Sequence, residues 1–226
     1  MDHLRGGGSL QGRPGSPRTD LIPPLPPSIP PAPAPMPDTA DAPSTTPRHQ
    51  LIAALRATPR DPTIPALIAQ VESDSAVDLR EQASLLTGVW ELRWSSSSQP
   101  WLKQAPWLEN LQLLDPARGR GMNLLRLRGP FGALAAVAVQ AELTIEGPHR
   151  VGVRFQRGGW IGPSLPGGWR PELLAAVKQS FPAWLEITAL DQQLRLCQGN
   201  AGTRFALLRR NDLSLDALMP APAQDA

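Results

Sequence analysis

A two-residue alternation of apolar and polar side chains recurs along the chain after Thr87 and limits strongly what the chain can fold into. This period is typical of β-strands with one wet face, because successive side chains of a strand point to opposite sides of the sheet. In the first such segment Trp90, Leu92 and Trp94 alternate with Glu91 and Arg93. Seven more segments repeat the pattern, centred near residues 112, 126, 143, 153, 186, 195 and 206.

Turn-forming residues separate these segments at hairpin spacing, notably at Arg118–Gly121, Glu146–Pro148 and Gln198–Gly202. About eight short strands in this arrangement predict a mainly β fold, an antiparallel barrel or sandwich. A parallel sheet would need a helix in each connection, and only the gap at 157–182 is long enough to hold one. The interior of a closed barrel of about eight strands is either filled by side chains or holds one small ligand, and the alternation does not decide between them.

Composition divides the chain into three parts. Residues 1–47 contain 13 of the 27 prolines and predict a disordered tail, because such a segment has little apolar surface to bury and favours extended conformations. We assign the globular domain to 48–212 and a C-terminal tail to 213–226. Apolar residues at helical spacing predict two short helices, 50–57 and 65–73, ahead of the strands.

The segment 157–182 interrupts the strand pattern. It is rich in glycine, proline and tryptophan, and we predict a short helix that begins at Pro171 and carries Leu173, Leu174 and Val177 on one face. So long an insertion in a small barrel is often functional. We interpret it as a lid or binding loop.

Several classes of function find no support in the sequence. A net charge of +2 gives no reason to expect a nucleic acid partner, and no apolar run approaches the ~18 residues of a transmembrane helix. The lone cysteine, Cys197, cannot form an intramolecular disulfide and is interpreted as a small packed side chain. The histidines lack acidic or cysteine neighbours at ligand spacing, and nucleophile-elbow and phosphate-loop motifs are missing, so we predict no metal, no cofactor and no enzyme activity.

Two stretches near the end of the domain stand out, LDQQLRL at Leu190–Leu196 and QGNAGTRFAL at Gln198–Leu207. Together they resemble the C-terminal signature of the plastid lipid-associated protein (PAP/fibrillin) family, and LLTGVWEL at Leu85–Leu92 resembles the start of the same domain. The resemblance covers roughly residues 49 to 210. Ala189 and Gln198 stand where the family usually has tyrosine and arginine, so the chain is identified as a divergent member.

The resemblance implies a lipocalin-related barrel of cyanobacteria and plastids that binds or structures prenyl lipids, carotenoids or quinones without catalysis. It also implies a peripheral association with thylakoids or lipid globules. The expected location is therefore the cytoplasm or the thylakoid surface of a cyanobacterium-like cell, or a plastid. Residues 1–47 mix acidic with basic residues, which is not typical of an import peptide.

Two pairs of residues have predicted roles in the barrel. Gly88-x-Trp90 resembles the opening motif of lipocalins, in which the tryptophan plugs the base of the barrel beneath an arginine, here Arg209 or Arg210; the alternative is a core tryptophan without that partner. Asp191 and Arg195, four residues apart, predict a salt bridge or turn cap in the last hairpin. The alternative is a polar pair at the rim that binds a head group.

Tryptophan is frequent, with seven residues, and several of these lie near proline- or glycine-rich loops. Indoles favour the boundary between water and lipid, so such loops predict an entrance flap or a membrane-dipping surface. Alternatively, they simply cover the ends of the barrel. The residues predicted to form the apolar mouth or lid are Trp94, Trp101, Trp107, Trp160, Trp169 and Phe181.

These features favour a non-catalytic protein that holds a hydrophobic lipid or pigment in the barrel or at its mouth. Burial of a hydrocarbon tail would supply most of the affinity, and polar groups at the rim would set the orientation. The second hypothesis is a protein-binding scaffold with a solid barrel that docks through its tryptophan-rich loops. An enzyme acting on lipid is the third and least supported.

Overall fold

The computed structural model describes residues 46–99, 102, 105–129, 132, 136–163, 165–166, 170–179 and 182–220. The predicted tail at 1–47 lies outside these residues except for its last two. Helices α1 (Pro47–Ala57), α2 (Ile64–Ser73) and α3 (Leu79–Leu86) precede the strands, and the short α4 (Leu215–Leu218) follows them. Thr46 caps the start of α1 by accepting a hydrogen bond from the His49 amide, and a proline occupies the first turn of both α1 and α2, where its missing N–H is not needed.

Within the described residues, nine strands form one antiparallel sheet. They are β1 (Gly88–Ser95), β2 (Leu108–Asp115), β3 (Arg120–Leu127), β4 (Ala136–Ile145), β5 (Arg150–Ile161), β6 (Glu172–Ala176), β7 (Ala183–Leu190), β8 (Leu194–Gly199) and β9 (Arg204–Arg209). The strand order is β4-β3-β2-β1-β9-β8-β7-β5, and β4 also pairs with β5. That last pairing closes an eight-stranded barrel, which confirms the predicted mainly β, lipocalin-like fold.

Strand β6 stands outside this closed ring. The 12-residue β5 pairs with β4 along its length, while its other edge pairs with β7 at 150–153 and with β6 at 157–161. The helix predicted after Pro171 is therefore wrong. The free edge of β5 supplies ladder hydrogen bonds to this segment, and that non-local pairing overrides the helical spacing of its leucines. Trp160 likewise lies in β5 and not in a loop.

A bulge in β1 changes the predicted faces of that strand. In the pairing of β1 with β9, Leu92 lies opposite Leu207 but Trp94 lies opposite Ala206, so the register shifts by one residue. Such an extra residue turns the following side chains to the other face. Trp94 consequently packs on the outside of the barrel, against the apolar cluster formed by α1, α2 and the strands beneath them. The prediction that Trp94 shares a face with Trp90 and lines the mouth is wrong for this reason.

Three apolar clusters hold the described domain together. The inner cluster fills part of the barrel and includes Trp90, Leu92, Leu143, Ile187 and Leu207. The helix-side cluster packs α1 and α2 on the outer face of β7, β8 and β9 through Leu51, Leu55, Ile68, Leu196 and Leu208. The third cluster, on the outer face of β1 to β4, includes Leu111, Leu113, Met122, Ala138 and Met219. Packing thus continues to Met219, beyond the predicted domain boundary at 212.

The two ends of the barrel differ. Helix α3 covers one end, which we call the closed end: Leu79 and Leu86 belong to the inner cluster, and the Leu79 amide donates to the Pro148 carbonyl at 2.7 Å. The opposite end, called the mouth, is bounded by the last residues of β1, β3, β5 and β8 and the first residues of β2, β4, β7 and β9.

Candidate functional site

Trp90 and Arg209 meet at the closed end. The Trp90 side chain is 0% exposed, its Nε1 donates to the Leu86 carbonyl at 2.8 Å, and the Arg209 guanidinium carbon lies 4.4 Å from the ring centroid. Arg209 also donates to the Thr87 carbonyl at 2.7 Å and to that of Leu85. These carbonyls end α3 and have no partner within the helix. A single side chain thus joins the last strand, the indole and the covering helix.

Gly88 leaves the space that Arg209 occupies. Its φ is +138°, and a Cβ built there would lie 2.5 Å from Arg209 Nη1. Both the backbone conformation and the close approach therefore require glycine. This geometry gives the Gly-x-Trp spacing a physical reason: the glycine admits the guanidinium that lies over the indole two residues later.

Arg195 is buried below the cavity of the barrel. Arg195 is 0% exposed. Its guanidinium carbon lies 5.1 Å from the centroid of the Trp90 ring, and its Nη2 donates to the amide oxygen of Gln112. Nε and Nη1 have no hydrogen-bond partner among the described residues. Burial raises the pKa of the neighbouring Cys197 thiol, so this thiol is neutral at pH 7 and offers Arg195 no counter-charge.

A cavity of about 240 Å³ lies above these residues. Apolar side chains form most of its wall, including Leu114, Leu143, Val153, Phe155, Leu185 and Phe205. It adjoins an outer space of about 460 Å³ towards the mouth, which is lined by Leu125, Val137, Val139 and Val177. The two spaces share Leu102, Gln112, Asn123 and Phe155. The interior is therefore not packed solid.

Exposed apolar side chains surround the mouth. Val137, Trp160 and Leu173 are direct partners across β4, β5 and β6, so they lie on one face, and we call them the apolar lip. Val137 lines the part of the cavity nearer the mouth, so this face of the sheet points into the barrel. The lip is 54% exposed at Val137, 40% at Trp160 and 76% at Leu173. Trp107, just before β2, is also exposed at the mouth, at 63%.

Three other residues are predicted to line the mouth. Trp101, Trp169 and Phe181 lie outside the described residues. The prediction of polar groups at the rim also differs from the structure, because Gln112 and Asn123 lie within the barrel while the lip is apolar.

Asp191 and Arg195 have different partners. The Asp191 carboxylate is bound by Arg48 at 2.6 and 2.9 Å, and its Oδ1 accepts the amides of Gln193 and Leu194 at 2.7 and 2.9 Å. Burial alone would raise the pKa of Asp191, but these bonds outweigh it and the pKa is lowered. Asp191 caps the turn between β7 and β8 near the closed end, which agrees with the turn cap that was one predicted role. Among the described residues it pairs with Arg48 and not with Arg195, so neither the predicted salt bridge nor the alternative pair at the rim is formed.

A buried ionic cluster lies on the outer face of β1, β2 and β3. Glu91 and Glu109 are both buried, and Arg210 Nη1 bridges them at 3.0 and 2.8 Å. Arg128 reaches Glu91 at 2.5 Å and Arg126 reaches Glu109 at 2.8 Å. Burial would raise the pKa of Glu91, but Arg128 and Arg93 outweigh it and lower the pKa. This cluster was not predicted, because the alternation in the sequence marks its residues as a wet face.

Gln112 and Asn123 were not predicted as cavity residues either. Leu111 and Leu113 were the apparent core positions of β2, but they face outward beneath the C-terminal segment, and Gln112 faces the cavity. Polar residues on the apparent wet face of a strand are the signal that could have identified them. Polar residues on a strand point to a cavity only when the opposite, apolar face is also covered, as it is here by the C-terminal segment.

The described residues contain no group of histidine, cysteine or acidic side chains that could hold a metal ion. None of the described helices is long and apolar enough to span a bilayer.

A closed eight-stranded antiparallel barrel with an apolar cavity and a tryptophan at its closed end defines a lipocalin-like protein. The sequence model of the PAP_fibrillin family matches residues 53–208, and the chain belongs to this family. The match includes every strand except the last residue of β9. No curated protein matches the chain.

Proposed function

We propose that the protein binds one apolar lipid, such as a prenylquinone or carotenoid, in the barrel without catalysis. The observation that carries this proposal is the apolar cavity that continues to the mouth. The outer space of about 460 Å³ falls in the range of roughly 300–1,000 Å³ typical of small-molecule sites, and the inner cavity of about 240 Å³ adjoins it. Removal of a hydrocarbon tail from water there contributes about 25 cal/mol per Å² of apolar area. Membership of a lipid-associated family supports the same ligand class.

The apolar lip gives the proposal a place for lipid transfer. Three neighbouring side chains with large exposed fractions form a patch that is unfavourable in water and suits a lipid surface. We propose that the mouth faces a photosynthetic membrane or lipid globule when ligand is exchanged. A partner protein is the second candidate for this patch, and the open cavity favours lipid over a solid scaffold.

The test compares lipid content with and without a blocked cavity. Ala141 lines the inner cavity and lies opposite Gly121, so Ala141→Phe places a ring in the space. Ala53→Phe on the exposed side of α1 is the matched control. Each protein is purified from a pigment-containing host, its extracted lipids are measured by mass spectrometry, and its fold is checked by thermal melting.

We expect a near-stoichiometric lipid in the wild type and in Ala53→Phe, and a loss of most of it in Ala141→Phe. Equal lipid content in all three proteins would show that the cavity is not the site. Absence of lipid from the wild type, together with no saturable tryptophan quenching by an added quinone, would favour the scaffold function.

A further inference from the structure

Behind Gln112, which lines the cavity, Arg195 is fully buried and forms no salt bridge with a carboxylate of the described residues. The carboxylates described above bind other arginines: Asp191 binds Arg48, and Glu91 and Glu109 bind the outer cluster. Arg195 keeps two buried N–H-bearing atoms without a partner among the described residues. A buried charge of this kind is costly unless polar groups compensate it. The floor of the barrel therefore favours oxygen atoms that carry partial or full negative charge.

Arg195 fixes the orientation of the Gln112 amide. A guanidinium has donors and no acceptor, so the amide oxygen of Gln112 must face it, as the hydrogen bond from Nη2 shows. The amide nitrogen then points away from Arg195, and Gln112 lines both the inner cavity and the outer space. Its two N–H donors are the polar groups that Gln112 offers to a ligand.

Asn123 supplies a second amide at the same level. It lies directly opposite Gln112 in the pairing of β2 and β3, and directly opposed residues on one face have Cβ atoms about 4.5–5.5 Å apart. Asn123 lines the same two spaces and is exposed within them. Asn110 lies nearer the mouth on β2, and the wall around it consists mostly of Leu125, Val137, Val139 and Val177.

We propose that Gln112, held by Arg195, and Asn123 bind an acceptor oxygen of the lipid, so that the ligand enters head first. The ligand class is a lipid with a carbonyl oxygen at one end, as in a quinone, ketone or carboxylate, and a long apolar tail. The tail leaves through the outer space and contacts the apolar lip. This inference depends on the proposed function, since it specifies which lipids the cavity selects and in which direction they lie.

Matched probes with one tail length test the selectivity. An alkyl-1,4-benzoquinone, the corresponding alkylbenzene and the alkanoic acid each compete with the neutral dye N-phenyl-1-naphthylamine for the full chain. Gln112→Glu is nearly isosteric and keeps a partner for Arg195, but it replaces the N–H donors by a carboxylate. Gln140→Glu on the outer face of β4 is the matched control, because Gln140 lies opposite the outward-facing Met122.

We expect the wild type and Gln140→Glu to bind the quinone at least about fivefold more tightly than the alkylbenzene, as one net hydrogen bond provides. Gln112→Glu should lose this preference and keep its affinity for the alkylbenzene. A preference for the acid over the quinone identifies an anionic oxygen as the acceptor, and the reverse identifies a neutral carbonyl. Equal binding of quinone and alkylbenzene by the wild type overturns this inference but not lipid binding, whereas failure of every probe to displace the dye overturns both.

The direction of the ligand is tested separately. A long-chain ketone with bromine at the end of its tail quenches nearby indoles, and Trp160 is the indole of the lip. We expect Trp160→Phe to remove a large part of the quenching by this probe and little of the quenching by a ketone brominated next to the carbonyl. The opposite pattern would show that the tail enters first.

Discussion

The closed end and the mouth of this barrel use tryptophan in opposite ways. At the closed end Trp90 is buried, hydrogen-bonded and covered by the Arg209 guanidinium, which also binds the carbonyls that end α3. At the mouth Trp160 is 40% exposed beside Val137 and Leu173. One indole joins four elements of the fold, whereas the other adds apolar surface to an opening.

The residues that stabilise the fold and the residues proposed to contact lipid therefore lie at opposite ends of the barrel. Regions rich in buried contacts open at high free energy, and regions with few buried contacts open easily. A lipid site gains from a rigid floor that orients the head and a less tightly packed opening that admits it. We therefore expect substitutions at the closed end to change the free energy of unfolding, and substitutions at the lip to change lipid association.

Trp90→Ala gives the largest expected effect. Truncation of a large buried aromatic costs about 3–5 kcal/mol, and here it also removes the surface on which Arg209 and Arg195 lie. Urea titration should show a loss of this size or an unfolded protein. Trp160→Ala should lower the free energy of unfolding by less than about 1 kcal/mol. Equal losses in the two variants would abolish the distinction between the ends.

Gly88→Ala should be the next most destabilising change. The new Cβ would lie 2.5 Å from Arg209 Nη1, at a φ of +138°, and would displace the guanidinium from the end of α3. We expect the free energy of unfolding to fall by about 2–3 kcal/mol, because the backbone is strained and the hydrogen bonds of the charged Arg209 guanidinium are lost.

Gly147→Ala is the control for that substitution. Its φ is +149°, but a Cβ there meets nothing within 4 Å, so only the strain of about 1 kcal/mol should appear. Thermal melting at several urea concentrations measures both. If Gly147→Ala costs as much as Gly88→Ala, displacement of Arg209 is not the reason.

Asp191→Ala should have a smaller effect that depends on pH. Loss of the turn cap and of the partly exposed pair with Arg48 should cost about 1 kcal/mol at pH 7, after allowance for solvent screening. The pKa of Asp191 is lower in the folded chain than its ordinary value, so its contribution is present above the unfolded pKa and disappears as pH falls through the folded pKa. Chemical denaturation from pH 7 to pH 2 should show the variant and wild type converging in acid. A gap that stays constant over this range would assign the loss to packing.

Local patterns in the sequence predicted most strands and the first two helices, but they did not predict which side chains point into the barrel and which point out of it. Alternation in β2 correctly predicted a strand, yet Gln112 faces the cavity and its leucine neighbours face outward. The reason is that the C-terminal segment covers the outer face, so both faces of the strand are buried and polarity no longer marks the outside. The bulge at Trp94 and the strand after Pro171 were not predicted for a similar reason. Each depends on pairing with a strand that is not a neighbour in the local pattern, β9 for the bulge and β5 for the strand.

The candidate site was less predictable than the fold. Trp90 and Arg209 were identified through the Gly-x-Trp motif, and the structure places them in contact. Arg195 was identified by its spacing from Asp191, but its actual neighbours, Gln112 and Trp90, come from β2 and β1. A cavity is a property of packing around an empty volume, and the sequence carries no local signal for it.

Leu173→Ser is expected to change stability least and tests the lip directly. Leu173 is 76% exposed, so its replacement should alter the free energy of unfolding by no more than about 0.5 kcal/mol. Removal of this side chain from the patch should nevertheless weaken cosedimentation with lipid vesicles, because contact with the membrane buries it. Ala176→Ser on the same strand is the control, since Ala176 pairs with Arg157 and does not belong to the lip. If both variants bind vesicles as the wild type does, the mouth does not contact lipid, and the contrast between the two ends reduces to a difference in packing.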